Sequence, residues 1–315
     1  MALPYTARVG SKYKSRLRKE LQAMFLKLGA PQIFGTYSVN LRAPAFRQHL
    51  RPSRGNASSV VKDVAYFCKA FRREWTRVWK YIHKTWANKV VGGAKDYAWV
   101  IEFQQRGAPH VHYVMWTGLS ADELISNNNS GDPNKVVVTC QRVTGNGDLD
   151  ALVEELQTHA HSPQYCLLKK RGADQTCRFH FPKAVSDTTF YDEASGRVVI
   201  QRGPQDVHIN AYNPDILRVA RSNMDLQINK GERAVDYISK YISKSTSLSE
   251  GSVSEIVPPN QPNNTTAVVA GQGRGRRRSR LRDEYGRSSK FMFYFQSFCF
   301  SLPLCCLHRH IQVFI

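Results

Sequence analysis

The sequence predicts an α+β fold, because it contains both a clear β-hairpin and a clear amphipathic helix. Residues 97–103 and 110–116 are rich in β-branched and aromatic side chains and flank a turn that contains Gly107, which is typical of a β-hairpin. Residues 60–89 place apolar side chains at every third or fourth position, which is the spacing of a helix with one buried face. The chain therefore combines strand and helix signals, as proteins of this class do.

Other elements precede these segments. Residues 1–29 are basic and have an apolar rhythm, which predicts an amphipathic helix that ends at Gly29. Residues 31–40 carry β-branched and aromatic side chains and predict the first strand. Residues 40–56 contain prolines and a glycine and predict a loop.

The long helix has clear end signals, and shorter elements follow the hairpin. Ser59 is a suitable N-cap, and Gly92 with Gly93 terminates the helix. Downstream, the sequence predicts a strand at residues 136–139, a helix at residues 149–158 and a strand–helix pair at residues 225–243.

The composition indicates a polyanionic partner. Lys and Arg total 45 against 25 acidic residues, which gives a net charge of +20 and a pI near 9.8. Because nucleic acids release counterions when their phosphates are neutralised, this excess favours nucleic-acid binding over a merely solvated basic surface. A hydrophobic content of 42% excludes a wholly disordered chain.

The cysteines and the C-terminal composition bear on the cellular compartment. Seven cysteines, an odd number with Cys305 next to Cys306, do not form a disulfide scaffold, so we expect a reducing compartment. An arginine cluster at residues 274–282 is typical of nuclear import or nucleic-acid contact, and we expect the protein in the nucleus. The apolar run at residues 291–307 is short and contains polar residues, so no membrane span is expected.

The hairpin carries a candidate metal site. His110 and His112 are two residues apart, so on a strand their side chains point to the same face. If the turn centres near Gly107, antiparallel pairing sets Glu102 opposite His112. The same register sets Gln104 opposite His110, so all four side chains share one face. Glu102 offers an anionic oxygen ligand and Gln104 a neutral one, whereas the alternative is two ordinary surface histidines.

A second segment carries two tyrosines one helical turn apart. Tyr237 and Tyr241 are four residues apart, so on the predicted helix they share one face, about 6 Å apart along the axis. Lys240 and Lys244 lie beside them, and nearby cations favour the phenolate form of tyrosine. Two such phenols suit two successive attacks on phosphodiesters, although simple packing of two tyrosines explains the same spacing.

Histidine and cysteine are concentrated in residues 159–183. This concentration of ligand-type residues makes the stretch a candidate structural zinc site, although their spacing is irregular and contains no Cys-x-x-Cys pair. Cys166 and Cys177 are the first candidate ligands, and His161 and His180 complete the set, with His159 in the same stretch. The alternative is reduced structural thiols among surface histidines.

Four segments, in this order along the chain, resemble the replication-initiator domain of Helitron-type rolling-circle transposons. They are residues 33–40 (IFGTYSVN), 99–112 (WVIEFQQRGAPHVH), 177–183 (CRFHFPK) and 234–244 (AVDYISKYISK). The second segment is the most specific, since it contains the His–hydrophobe–His motif that gives the HUH endonucleases their name. The resemblance covers about residues 30–245.

The resemblance implies an antiparallel sheet with flanking helices, an elaborated ferredoxin- or RRM-like core with insertions. It implies an HUH-type nicking domain at residues 30–245, with the cysteine- and histidine-rich residues 159–183 as an insertion. The basic helix at residues 1–29 would precede this domain. Residues 246–315 would be a low-complexity basic and apolar tail, which we expect to be disordered.

The resemblance also implies a reaction on single-stranded DNA. His110 and His112 match the histidines that hold Mg²⁺ or Mn²⁺, with Glu102 as the candidate third ligand. Tyr237 and Tyr241 match the nucleophiles. A tyrosine would attack a metal-polarised phosphate, leaving a 5′-phosphotyrosyl bond and a free 3′-hydroxyl without ATP. The second tyrosine would permit a second strand transfer.

The sequence departs from the family's pattern in three places. It contains no Gly-x-x-x-x-Gly-Lys-Ser/Thr phosphate loop, so the helicase half of such proteins is not represented. His180 occupies a position where the family usually has glycine, and the residues after Ser245 do not match. We therefore expect a truncated copy. The alternatives to a nicking enzyme are a catalytically inactive, nucleic-acid-binding remnant and a zinc-stabilised interaction module.

Binding of single-stranded DNA combines cations that contact phosphates with aromatic side chains that stack on bases. Tyr37 and Trp116 are the candidates for stacking. The candidate phosphate contacts are Arg106 at the hairpin turn, Lys240 and Lys244 near the tyrosines, and Lys169, Lys170 and Arg171 between the two cysteines.

Overall fold

The computed structural model describes residues 11–48, 50–53, 56–61, 64–103, 108–163, 166–168, 176–231 and 311–314. The helices are α1 (Ser11–Leu28), α2 (Pro44–Arg47), α3 (Val64–Lys80), α4 (Ala87–Val90), α5 (Ala121–Asn128), α6 (Gly147–Leu152) and α7 (Pro214–Ala220). π-Helical turns at Tyr81–Trp86 and Val153–Gln157 join α3 to α4 and extend α6, and a 3₁₀ turn spans Pro204–Asp206. The strands are β1 (Ile33–Ser38), β2 (Leu50–Ser53), β3 (Asn56–Val61), β4 (Ala94–Phe103), β5 (Pro109–Thr117), β6 (Leu167–Leu168), β7 (Thr176–Cys177), β8 (Phe190–Asp192), β9 (Arg197–Val199), β10 (Met224–Ile228) and β11 (Ile311–Phe314).

Five of the strands form the central sheet, in the order β10–β1–β5–β4–β11. The first four strands pair with one another in antiparallel fashion, and β11 pairs in parallel with the outer edge of β4. The remaining strands form three small hairpins, β2–β3, β6–β7 and β8–β9. The predicted α+β class, an antiparallel sheet with flanking helices, is confirmed.

Different helices cover the two faces of the sheet, because the side chains of each strand alternate between the faces. On β1, Ile33 and Tyr37 belong to the core on one face and Phe34 to the core on the other. The first face packs against α3, its π-helical continuation and α7. The buried aromatic side chains that these helical segments contribute are Phe67, Phe71, Trp75, Trp79 and Trp86. The second face packs against α1 over part of its area.

The helix α1 covers its face of the sheet with one apolar stripe. Leu17, Leu21 and Phe25 are spaced four residues apart and are all buried. The helix ends where the sequence predicts, at Gly29, whose φ of +73° suits a residue without a side chain. The indole Nε1 of Trp116 donates to the Gly29 carbonyl oxygen at 2.9 Å and anchors this end. Neither α1 nor any other helix in the described ranges is long and apolar enough to span a membrane.

The long helix begins later than the sequence predicts. Ser59 is not its N-cap, because residues 56–61 form β3, which pairs with β2, and α3 starts at Val64. The small and β-branched side chains of this stretch are compatible with a strand, and the pairing with β2 outweighs the helical periodicity. The predicted loop at residues 40–56 accordingly contains α2 and β2. The predicted end is confirmed, since Gly92 and Gly93 have positive φ angles.

Downstream, the predicted elements are only partly present. Residues 136–139 do not form a strand; Thr139 instead makes an isolated bridge with Tyr212. The helix predicted at residues 149–158 begins earlier, at Gly147, with Asn146 as its N-cap. The predicted strand near Asp225 is confirmed as β10, and the helix predicted to follow it lies outside the described residues.

One glycine in β1 is required by a close approach within the core. Gly35 pairs with Tyr113 on β5 and with Leu226 on β10. A Cβ atom at position 35 would overlap the phenol ring of Tyr113, which is fully buried and crosses this point of the strand. The pairing of β1 with the hairpin therefore depends on the absence of a side chain here.

We expect Leu21→Ala to lower the free energy of unfolding by about 2–5 kcal/mol, because it removes a fully buried side chain from the contact between α1 and the sheet. Leu26→Ala is the matched control, since Leu26 lies in the same helix and is 90% exposed. Urea denaturation followed by circular dichroism measures both changes. Equal effects of the two substitutions would contradict the packing of α1 on the sheet.

We expect Gly35→Ala to lower the free energy of unfolding by about 2–4 kcal/mol, because the added methyl group overlaps the Tyr113 ring. The double variant Gly35→Ala/Tyr113→Leu should lose less than the sum of its two single changes, which thermal and urea denaturation can measure. Gly147→Ala serves as the control, because no atom lies within 4 Å of a Cβ placed there. Additive changes in the double variant would show that the two positions do not interact.

Candidate functional site

The hairpin places Glu102, His110 and His112 on one face of the sheet, but in a register that differs from the predicted one. Glu102 pairs with His110, and Val100 pairs with His112. The predicted register of β4 against β5 is wrong by two residues, because β4 ends at Phe103 and β5 starts at Pro109. These ends leave a five-residue connection between the strands. Since side chains alternate with a period of two, a shift of two residues keeps the predicted face.

His112 contacts both of the other side chains. The Nε2 atom of His112 lies 3.3 Å from Oε2 of Glu102, and the two imidazole rings lie 4.6 Å apart between centroids. The neighbouring strand β1 adds Ser38, whose Oγ lies 2.8 Å from Nδ1 of His110. When this Nδ1 donates to Ser38, the lone pair of His110 is on Nε2, which is then able to bind a cation.

Electrostatics keeps His110 neutral. Burial, together with the neighbouring His112, lowers the pKa of His110 to about 3, although the Glu102 carboxylate acts in the opposite direction. A neutral imidazole is the form that binds metal ions, so His110 is available as a ligand at neutral pH. His112 has 2% of its side chain exposed and Glu102 24%, so Glu102 lies nearer the solvent.

The site adjoins the apolar contact between α1 and the sheet. The ring of Phe34, which belongs to that contact, stacks on His112 at a centroid distance of 6.5 Å. Val100, the cross-strand partner of His112, belongs to the same contact. One side of the histidine pair is therefore apolar and dry, and a charge held there interacts with its ligands more strongly than in water.

Sequence reasoning missed two polar residues on this face. Ser38 could have been found, because it lies on the same face of its strand as Phe34 and ends a strand that resembles the family motif. Asp225 lies in the same cross-strand row as His112, with Thr36 between them, and no motif marks it. Burial raises the pKa of Asp225. Two strand spacings, about 10 Å, separate Asp225 from His112, so Asp225 is a neighbour of the site and not a ligand.

Several predicted site residues lie outside the described residues. They are Gln104, Arg106, Lys169, Lys170, Arg171, Tyr237, Lys240, Tyr241 and Lys244. The predicted stacking side chains are described, and their prediction is wrong. Tyr37 and Trp116 have only 4% and 2% of their surface exposed, because both belong to the cores that pack against the sheet.

A second cluster of ligand-type side chains lies in the residues that follow α6. One ligand atom from each of His159, His161, Cys166 and Cys177 lies within 4.8 Å of all the others. The structure thus brings His159 into the cluster, and His180 is absent from it. His180 is exposed and has a φ of +59°, because it lies in the turn after β7, where its N–H donates to the Cys177 carbonyl oxygen.

The thiols of this cluster contact its imidazoles. The Sγ atom of Cys177 lies 3.4 Å from Nε2 of His159, and Sγ of Cys166 lies 3.7 Å from Nδ1 of His161. Burial acts to raise the pKa of Cys177, but hydrogen bonds from the backbone N–H groups of Phe181 and Phe179 outweigh it, and the pKa is below its usual value. A lowered pKa favours the thiolate, which is the form that binds metals.

One family model matches the first 115 residues of the chain. Residues 1–115 match the family model described as the Helitron helicase-like domain at the N-terminus, and this range includes α1, β1, all but the last two residues of the β4–β5 hairpin, and both histidines. No curated protein and no solved structure matches the chain. Residues 1–115 are thus similar to the Helitron helicase-like N-terminal domain.

Proposed function

We propose that this protein is a metal-dependent nuclease that nicks single-stranded DNA and transfers the strand through a 5′-phosphotyrosyl intermediate, acting in the nucleus. The observation that carries the proposal is the set of contacts among Ser38, Glu102, His110 and His112 on one face of the sheet. Two imidazoles and a carboxylate beside an apolar wall form a donor set for a divalent cation. We assign the nicking domain to residues 30–245.

The geometry of the donor set fits a six-coordinate cation. Adjacent ligands at about 2.1 Å from such an ion lie about 3 Å apart. The 3.3 Å between His112 Nε2 and Glu102 Oε2 is close to that separation, so both atoms can bind one ion with little movement. His110 adds its Nε2 when Nδ1 is bonded to Ser38. The Glu102 carboxylate is the ligand in this set that Mg²⁺ and Mn²⁺ prefer, and such an ion, when bound, would polarise the scissile phosphate.

The proposed nucleophiles are the phenol oxygens of Tyr237 and Tyr241. The phenol loses its proton, its oxygen bonds to phosphorus, and the bond from phosphorus to the 3′-oxygen breaks. The 3′-oxygen takes up a proton and leaves as a free hydroxyl. One phosphodiester is exchanged for another, so the later joining of the strand needs no nucleotide cofactor. A second tyrosine allows the second strand to be attacked before the first is released.

The course of the chain through β10 supports a position of these tyrosines close to the histidines. Ile228, at the end of β10, pairs with Ile33, whereas His110 pairs with Ser38 at the opposite end of β1. These ends are about 17 Å apart along the strand. Tyr241 follows Gly231 by ten residues, which correspond to a rise of about 15 Å on the helix that the sequence predicts in this stretch. A helix that returns along the sheet would therefore bring Tyr241 to the level of His110.

The charge distribution fits single-stranded DNA as the substrate. The helix α1 covers the same face of the sheet as the histidine pair and exposes Arg18 and Lys19 to the solvent. Together with the net charge of +20, these cations favour a phosphate backbone that runs along α1 toward the histidines.

We expect the purified protein with Mn²⁺ to convert a pool of labelled single-stranded oligonucleotides into a protein–DNA adduct that survives denaturing gel electrophoresis. A label at the 3′ end should move with the protein, and a label at the 5′ end should appear in a shorter free strand. The double variant Tyr237→Phe/Tyr241→Phe removes both proposed nucleophiles, and the variant His110→Ala removes a proposed metal ligand. Each should reduce the amount of adduct by on the order of 100-fold or more.

Tyr66→Phe is the control for tyrosine loss, because Tyr66 lies on α3 against the other face of the sheet and is 59% exposed. It should leave the adduct unchanged. Nicking that persists in the double tyrosine variant would overturn the proposed nucleophiles. Binding of the oligonucleotides without any nicking by the wild-type protein would overturn the enzymatic function and favour an inactive binding protein.

A further inference from the structure

We infer that His159, His161, Cys166 and Cys177 bind one Zn²⁺ ion in a Cys2His2 site that shares no residue with the proposed nicking centre. The four residues come from three short stretches of chain: the irregular residues after the π-helical turn that extends α6, the start of the β6–β7 hairpin, and its return strand β7. The inference concerns the structure of this part of the chain and does not depend on the nicking reaction.

The distances fit a tetrahedral zinc site. Zinc binds thiolate sulfur at about 2.3 Å and imidazole nitrogen at about 2.0–2.1 Å, so neighbouring ligand atoms of a tetrahedron lie about 3.3–3.8 Å apart. The contacts Cys177–His159 at 3.4 Å and Cys166–His161 at 3.7 Å fall in this range. All four ligand atoms lie within 4.8 Å of one another, so small side-chain rotations would complete the site.

The donor chemistry selects zinc over the cations proposed for the histidine pair on the sheet. Two thiolates and two imidazoles form a soft to borderline donor set, which suits Zn²⁺, whereas Mg²⁺ and Mn²⁺ prefer carboxylate and carbonyl oxygens. The set has four protein ligands and leaves no position for substrate, which is the arrangement of structural zinc sites.

The described part of the local core around this cluster is small. The β6–β7 hairpin pairs two residues of each strand, and among the described residues its separate core contains Cys166, Cys177 and Phe181, with Leu167 at its edge. An isolated short hairpin is marginally stable at best in water. A metal that joins the hairpin to the chain near His159 supplies the missing stability, as in other small metal-stabilised units.

The surrounding contacts orient the ligands. The ring of Phe181 stacks on the imidazole of His159 at 4.4 Å with an angle of 11° between the planes. The backbone N–H of Ser162 donates to Sγ of Cys166 at 3.1 Å. The backbone N–H of His159 donates to the carbonyl oxygen of His208 at 2.8 Å, which ties the cluster to the body of the protein. Hydrogen bonds and packing around the ligands are typical features of metal sites.

The test measures zinc in the full-length chain by mass spectrometry after dialysis against metal-free buffer. The double variant His110→Ala/His112→Ala is measured alongside the wild type, so that zinc bound at the histidine pair is not counted. We expect one zinc per chain in both proteins. Replacement by Co²⁺ should give the visible absorption of a tetrahedral site, with a sulfur-to-cobalt charge-transfer band.

Substitution of single ligands assigns the site. His159→Asn, His161→Asn and Cys177→Ser should each weaken zinc binding at least ~10-fold, measured by competition with a chromophoric chelator. His180→Asn is the matched control, because it removes an exposed imidazole of the same region while asparagine tolerates its positive φ. It should leave zinc binding unchanged.

Three results would overturn the inference. The first is a substoichiometric zinc content in the wild type after incubation with excess zinc. The second is a cobalt spectrum without the charge-transfer band, which tests the site in the wild type even if the cysteine variants fail to fold. The third is zinc loss in His180→Asn with retention in His159→Asn. None of these readouts uses nicking, so failure of the zinc site and failure of the nicking proposal are distinguishable.

Discussion

The position of β5 between β1 and β4 is the constraint on which the rest of the structure depends. This strand carries both histidines, and its two neighbours supply the groups that contact them, Ser38 from one side and Glu102 from the other. Its remaining side chains join the cores on both faces of the sheet. Antiparallel pairing on both edges therefore holds the ligand-bearing backbone rigidly, and burial of the imidazoles follows from the same packing.

Much of this arrangement could be predicted from the sequence, and the exceptions have physical causes. Side-chain alternation was enough to place His110 and His112 on one face with Glu102, because it depends on the period of a strand and not on the turn. The register depends on the length of the connection, which short-range patterns do not determine, and so it was shifted by two residues. The helix start near Ser59 was missed, since the pairing of β3 with β2 is a contact between segments.

In the Cys/His cluster, too, the sequence indicates the stretch of chain but does not determine which of its residues come together. The sequence singled out the right stretch, but His159 and His180 were equivalent by composition. The backbone distinguishes them: the left-handed conformation at position 180 turns that side chain to the solvent, while the bridge of Thr158 with Ile209 brings its neighbour His159 toward the thiols. The same conformation explains why a glycine at this position is compatible with the turn, as in the segment that the sequence resembles. The two donor sets, one with a carboxylate and one with thiols, are built from separate residues and match different classes of cation.

The π-helical turn at Tyr81–Trp86 has a consequence for chain length in this part of the core. Such a turn holds one residue more than a regular helical turn. That residue changes the direction, about the helix axis, in which the side chains of all following residues point. Ala87 and Val90 face the aromatic core only with this extra residue present. Deletion of one residue here would restore a regular helix and rotate the last turn by about 100°, carrying both side chains away from the sheet. Insertions and deletions in this helix are thus constrained by rotation as well as by length.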